Sequence, residues 1–160
     1  MSTPLISDEA QRTVDLLASR PLVRLVTEID DNGAIPPRRM TATLTDLSTH
    51  HLRSASDTAR AYGLIRIAPG AGLELTQAGL ELVDLYDAMA HWARGHAVPA
   101  PVCAFTSRIR AVLGLLAPSL ATGAHVAGAD EGLARLRSLL IQWLADNPQV
   151  ARAAEPEQAA

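Results

Sequence analysis

The chain is 160 residues long, 48% hydrophobic, with a formal net charge of -3 and an isoelectric point near 5.9. That length suffices for one well-buried core with a small appended module and excludes two large domains. A mildly acidic whole excludes a globally basic polyanion binder, so any nucleic-acid surface has to be a local patch.

All 14 basic residues are arginine, a bias expected of a GC-rich bacterial genome. The lone cysteine, Cys103, has no internal disulfide partner. MSTPLISDEA lacks the basic start and apolar core of a secretory leader, so a cytoplasmic location is expected. The longest apolar run, AVLGLLA at residues 111–117, is too short to cross a bilayer, so no membrane partner is expected.

Taken in chain order, Ser7 is placed to cap a first helix, with Asp8 and Glu9 in its positive first turn and Val14, Leu17 and Ala18 on one apolar face. Pro21 suits the first turn of a second helix, where Leu22, Leu25, Val26 and Ile29 recur at helical spacing until Asp30-Asp31-Asn32-Gly33 stops it. Pro36 and Pro37 preset the entry to a third helix with Met40 and Leu44 turned inward, followed by a short turn near residues 45–47. Ser48 then caps a fourth helix that runs to about Tyr62 and ends at Gly63. Two short helices joined by a tight turn make a helix-turn-helix.

The period changes at LIRIA and LEL, two strand-like runs joined by Pro69-Gly70-Ala71-Gly72, which predicts a β-hairpin. Thr76 caps a long fifth helix reaching about His96, with Leu82, Leu85, Met89, Trp92 and His96 along one stripe and Leu80 and Val83 flanking it. Pro99 and Pro101 make residues 97–105 a connector. A sixth helix is predicted over about 106–117. A seventh, over about 130–145, carries Leu133, Leu136, Leu140, Trp143 and Leu144 as a seam. Both have apolar faces that call for a partner surface. The expected organisation is a domain at 7–96, a helical region for dimerisation or ligand binding at 97–146, and a disordered tail at 147–160. The fold class is mainly α with one small hairpin.

The order of helices, helix-turn-helix, hairpin and long helix, over residues 14–96, resembles the winged helix-turn-helix regulators of the HxlR type, relatives of the MarR-like regulators. GLIRI leads into the hairpin, LTQAGLEL resembles the family's L-T-x-x-G-x-x-L after it, LYDAMAHWARGH resembles its closing helix, and PPRRM its entry to the third helix. The resemblance implies a homodimeric, DNA-binding transcription regulator whose C-terminal helices dimerise. It implies as partners a pseudo-palindromic double-stranded DNA operator and a small-molecule effector. Three departures stand out: a shorter turn before Ser48, a hairpin without the longer charged excursion, and no N-terminal sensor cysteine.

A helix laid into the major groove rests on one narrow face, here Leu52, Ala55 and Ala59, and offers the other to bases. Helical spacing turns His50, Arg53, Ser54 and Asp57 outward, with Thr49 near the N-terminus. Arg53 has the donors to read guanine O6 and N7, while Ser48, Arg38 and Arg39 suit phosphates. Arg66 adds charge from the hairpin. Between residues 38 and 66 stand five arginines against two aspartates, a local +3 in a chain of net -3. Asp57 is the discordant member, a carboxylate where phosphates would be faced.

Other constellations are weaker. His50 and His51 point about 100° apart on a helix, and His91 and His96 miss the i,i+4 spacing, so neither a metal nor a cofactor is expected. Cys103 in PVCAF reads as an inert apolar thiol. Trp92, Phe105 and Trp143 are core or dimer anchors, or else the lining of a ligand pocket. Neither a catalytic triad, nor a buried carboxylate pair, nor a phosphate loop is present, so no enzyme is expected. The rival function is a winged-helix module that binds no DNA and works in small-molecule binding, dimerisation or scaffolding. Net acidity, Asp57 and the bare hairpin favour it.

Overall fold

The computed structural model describes residues 7–100, 102, 104–122 and 130–153. It is mainly helical with one two-stranded antiparallel sheet, and the chain divides into two compact units, one at residues 19–84 and one joining residues 7–18 to those from 85 onward. Cys103, Pro101 and the stretches 123–129 and 154–160 lie outside the described residues. No described helix is long and apolar enough to cross a membrane.

In the unit at 19–84, α2 (Arg20–Asn32) buries Leu22, Val23, Leu25, Val26 and Ile29, the apolar stripe that its spacing predicts. Gly33, at φ 90°, takes the chain off the helix while its N–H still bonds the Ile29 carbonyl at 2.8 Å. A 3-10 turn at Pro37–Arg39 leads into α3 (Met40–Thr43), and Met40 and Leu44 are buried as expected. This third helix is shorter than the sequence suggests, because Leu44 already leaves helical geometry at ψ 68°. The next helix, α4 (Thr49–Ala61), starts where Ser48 Oγ accepts the His51 N–H at 3.1 Å, and it buries Leu52, Ala55 and Ala59.

Strands β1 (Ile65–Ala68) and β2 (Gly72–Leu75) pair with Ile65 opposite Leu75 and Arg66 opposite Glu74. Ile35 adds a bridge that periodicity does not announce: its N–H reaches the Leu73 carbonyl at 3.0 Å, and Leu73 returns a bond of 2.8 Å. Gly72, at φ 109°, makes this approach possible, since a β-carbon there would run into the Ile35 and Pro36 backbone. The L-T-x-x-G pattern also finds its physical content here. Thr76 Oγ1 accepts the Gly79 N–H at 3.2 Å and donates to the Gly63 carbonyl. Gly79 packs so closely on the Leu64 carbonyl that no side chain fits. These contacts start α5 (Gln77–Gly95) directly against the entry to the hairpin.

The other unit gathers α1 (Ser7–Leu17), α5 from Leu85 onward, α6 (Phe105–Thr122), α7 (Glu131–Asp146) and α8 (Pro148–Ala153). Tyr86 is fully enclosed and donates to the Leu17 carbonyl; burial pushes its phenol pKa up. Ile109, Val112, Leu113 and Leu116 of α6 are buried, and α7 buries Leu133, Leu136, Leu140, Trp143 and Leu144, the predicted seam. On α5 the expected stripe holds for Leu82, Leu85 and Met89, whereas Trp92 is half-buried and His96 and Leu80 are exposed. Two boundaries move: α6 continues through Pro118 beyond the expected end at Ala117, and α8 occupies part of the tail expected to be disordered. Val150 of α8 is fully buried, and Asn147 Nδ2 donates to the Trp143 carbonyl at 2.8 Å.

Candidate functional site

The solvent face of α4 carries Thr49, His50, Arg53, Ser54 and Asp57, all exposed. Ser48 is exposed too, with its oxygen engaged in the cap and its hydroxyl proton still free to donate. A groove of about 290 Å3 runs along α4, bounded by Pro37 and Met40 on one side and by Ile67 and Leu73 of the hairpin on another; Thr49, Arg53, Asp57 and Arg60 line it. Arg38 and Arg39 are exposed on the 3-10 turn that supplies Pro37 to this groove, so the expected phosphate contacts and base readers occupy neighbouring elements.

Ion pairing reshapes the local charge. Asp46 is clamped by Arg24 at 2.9 and 3.0 Å and by Arg20 at 2.8 Å. The Arg24 hydrogen bonds hold the Asp46 carboxyl below the usual carboxylate range and raise the Arg24 guanidinium in turn. Asp46 is therefore offset by α2 and subtracts little from the basic patch. On the hairpin, Arg66 pairs with Glu74 directly across the strands at 2.6 Å, so its charge is matched rather than spare. Arg38, Arg39, Arg53 and Arg60 are exposed, and their guanidinium groups make no ion pair or hydrogen bond among the described residues. Arg60 was not singled out from sequence as a site residue, although seven residues beyond Arg53 it shares that helix face.

The His50 and His51 rings lie 5.9 Å apart and tilted by 52°. Among the described residues no group of three or more His, Cys, Asp or Glu side chains could hold a metal ion.

The second unit holds a cavity of about 400 Å3 against α5 and α7. Its organising contact is Asp130, the N-cap of α7. Oδ1 accepts the Leu133 N–H at 3.0 Å and the Trp92 indole N–H at 2.9 Å, and Oδ2 lies 2.8 Å from His96 Nε2. The His96 ring stacks on Trp92 with centroids 4.1 Å apart, its Nδ1 2.8 Å from the Trp92 carbonyl. That carbonyl, then Asp130, raises the His96 pKa from its ordinary value. The Trp92 and Leu133 N–H bonds, with His96 behind them, draw the Asp130 carboxyl down to about 2. Trp92 lines the cavity together with His91, His96, Arg135, Leu136 and Leu139; Phe105 and Trp143 do not, the latter being buried in the α7 seam. The three aromatics grouped from sequence are thus not assembled around this cavity. Asp130 and Arg135 were not apparent as partners from sequence, but the i,i+4 spacing of Trp92 and His96 could have announced the stack.

No protein-family model matches the chain, and neither a curated protein nor a solved structure matches it.

Proposed function

We propose that the protein is a cytoplasmic, homodimeric, non-enzymatic transcription regulator of the HxlR type, with a winged helix-turn-helix that binds a pseudo-palindromic double-stranded DNA operator and answers to a small-molecule effector. In this reading α3 and α4 are the helix-turn-helix and β1–β2 the wing. Arg53, with Thr49, His50 and Ser54, reads base edges, while Ser48, Arg38 and Arg39 hold phosphates. Arg66, paired with Glu74, contributes less than a charge count assigns it. Exposed Leu115 and Ile141 on α6 and α7 supply apolar surface for the dimer.

One observation carries the reading: α4 buries only Leu52, Ala55 and Ala59, and its open face is bordered by four exposed arginines whose guanidinium groups have no partner among the described residues. Partnerless guanidinium groups of one sign, gathered on neighbouring elements, are suited to a polyanion. Selection from a random DNA pool followed by gel shifts tests it. A preferred sequence with two half-sites about one helical turn apart is expected, and Arg53→Ala with His50→Ala should abolish the preference. Absence of any sequence preference, or full affinity in the double variant, would overturn it.

Asp57, facing the same groove as Arg53, together with the neutralised hairpin, favours the second reading: a winged-helix module that binds no DNA and serves in ligand binding or scaffolding. A thermal-shift screen of metabolites beside DNA separates the two, because a ligand of the native state raises the melting temperature. Stabilisation by small molecules without any response to DNA would establish the second.

A further inference from the structure

On the open face of α4, Asp57 is the residue that base reading and phosphate binding leave without a role. It is exposed and lines the same groove as Arg53, one helical turn before it, and Arg60, three residues after it. Its carboxylate makes no ion pair or hydrogen bond among the described residues, although both arginines stand at neighbouring helical positions. From Arg53 to Asp57 the basic residue comes first, the weaker orientation for an i,i+4 pair. Asp46 and Glu74, the other acids beside the basic patch, are both committed to arginines. The Asp57 oxygens are therefore open to a donor from outside the chain.

Counted as charge alone, a carboxylate on a DNA face is a cost. As an acceptor it has a base complement. Cytosine donates its N4 amino group into the major groove, whereas thymine offers O4 and a methyl, guanine offers N7 and O6, and adenine sets the N7 acceptor beside its N6 donor. We propose that Asp57 is a specificity-determining residue that accepts from cytosine N4 in the major groove, next to the guanine read by Arg53. Four residues advance a helix by about 6 Å, against about 3.4 Å per base pair, so the two side chains fall on base pairs one or two steps apart. Arg53 and Arg60 flank the carboxylate with a surplus of one positive charge, which offsets its repulsion from the phosphates. This role rests on the DNA-binding reading of α4 and is independent of any effector.

Gel shifts of the full chain on its selected operator, with one base pair exchanged at a time, test the role. Each half-site should hold a C·G pair within two steps of the guanine whose requirement Arg53→Ala removes. Exchanging that pair for T·A should weaken binding about tenfold. Asp57→Asn is an exposed change between residues of similar helix propensity, so the melting temperature should stay in place. The variant should lose the cytosine requirement and prefer adenine there, because an asparagine amide matches adenine N6 and N7, while the guanine requirement persists. An operator without such a C·G pair, a cytosine requirement that survives Asp57→Asn, or a variant that loses the guanine requirement instead would overturn the role of Asp57 and leave the operator reading standing. Absence of any preferred sequence in the unaltered protein would overturn both.

Discussion

Gly132 is a position where available space decides the outcome of substitution. A β-carbon there would lie 2.7 Å from the Trp92 Cδ1 atom, so Gly132→Ala forces the indole away from Asp130. Overpacking of this kind costs about 1–3 kcal/mol, readable as a lowered urea midpoint; an unchanged midpoint would mean that the indole yields freely. The same cluster makes a titration prediction. His96 sits between two acceptors, the Trp92 carbonyl and Asp130 Oδ2, and only the doubly protonated ring can donate to both. Its proton is therefore held more tightly in the folded chain than at the ordinary pKa of 6.5. The stabilisation is complete below that value and disappears as pH rises through the higher folded one. Asp130 runs the opposite way: its carboxyl, at about 2 against an ordinary 3.8, stabilises above the ordinary value and ceases to do so as pH falls toward 2. Nuclear magnetic resonance titration should place the His96 ring above an ordinary histidine and return it part-way in Asp130→Asn. An ordinary value in the unaltered protein would contradict the geometry.

At the scale of elements, α4 depends on its cap as much as on its sparse apolar face. Ser48→Ala removes the acceptor for the His51 N–H and should cost about 1 kcal/mol, with faster amide exchange confined to the first turn of the helix. Uniform exchange changes along α4 would point instead to a packing defect. The buried faces of α2, α4 and α7 were legible because apolar residues at three- and four-residue spacing have one way to be covered. The Ile35 bridge was not legible, since a single paired residue has no period. Nor was the run of α6 through Pro118, because a proline inside a helix ordinarily reads as its end. The helix α8 escaped notice for a third reason: among its described side chains only Val150 is buried outright, and PQVARA shows no apolar stripe to detect.

For the whole molecule, a net charge of -3 and a patch of exposed arginines make opposite demands on any polyanion. Binding to DNA should then weaken steeply with salt, each phosphate contact adding about 0.9 to the slope of log affinity against log salt concentration. Arg39→Ala should lower that slope and weaken all sequences alike, whereas Arg53→Ala should change which sequence is preferred. Affinity indifferent to salt would remove the electrostatic basis of the reading. The patch was legible in outline, since Arg38, Arg39 and Arg53 need only helical spacing to be placed. Its true balance was not, because the Asp46 clamp and the Arg66–Glu74 pair join residues whose proximity comes from packing. The aromatic trio failed for the same reason, as composition counts rings without saying which of them meet.

The Asp46 clamp ties electrostatics to mechanics. Arg20 and Arg24 reach that carboxylate from α2, whose Leu22–Ile29 stripe is part of the hydrophobic interior. A strain that shifts α2 by a fraction of a turn would release an uncompensated anion two residues ahead of the Ser48 cap. The surface potential at the start of α4 is thereby a readout of how tightly α2 is seated.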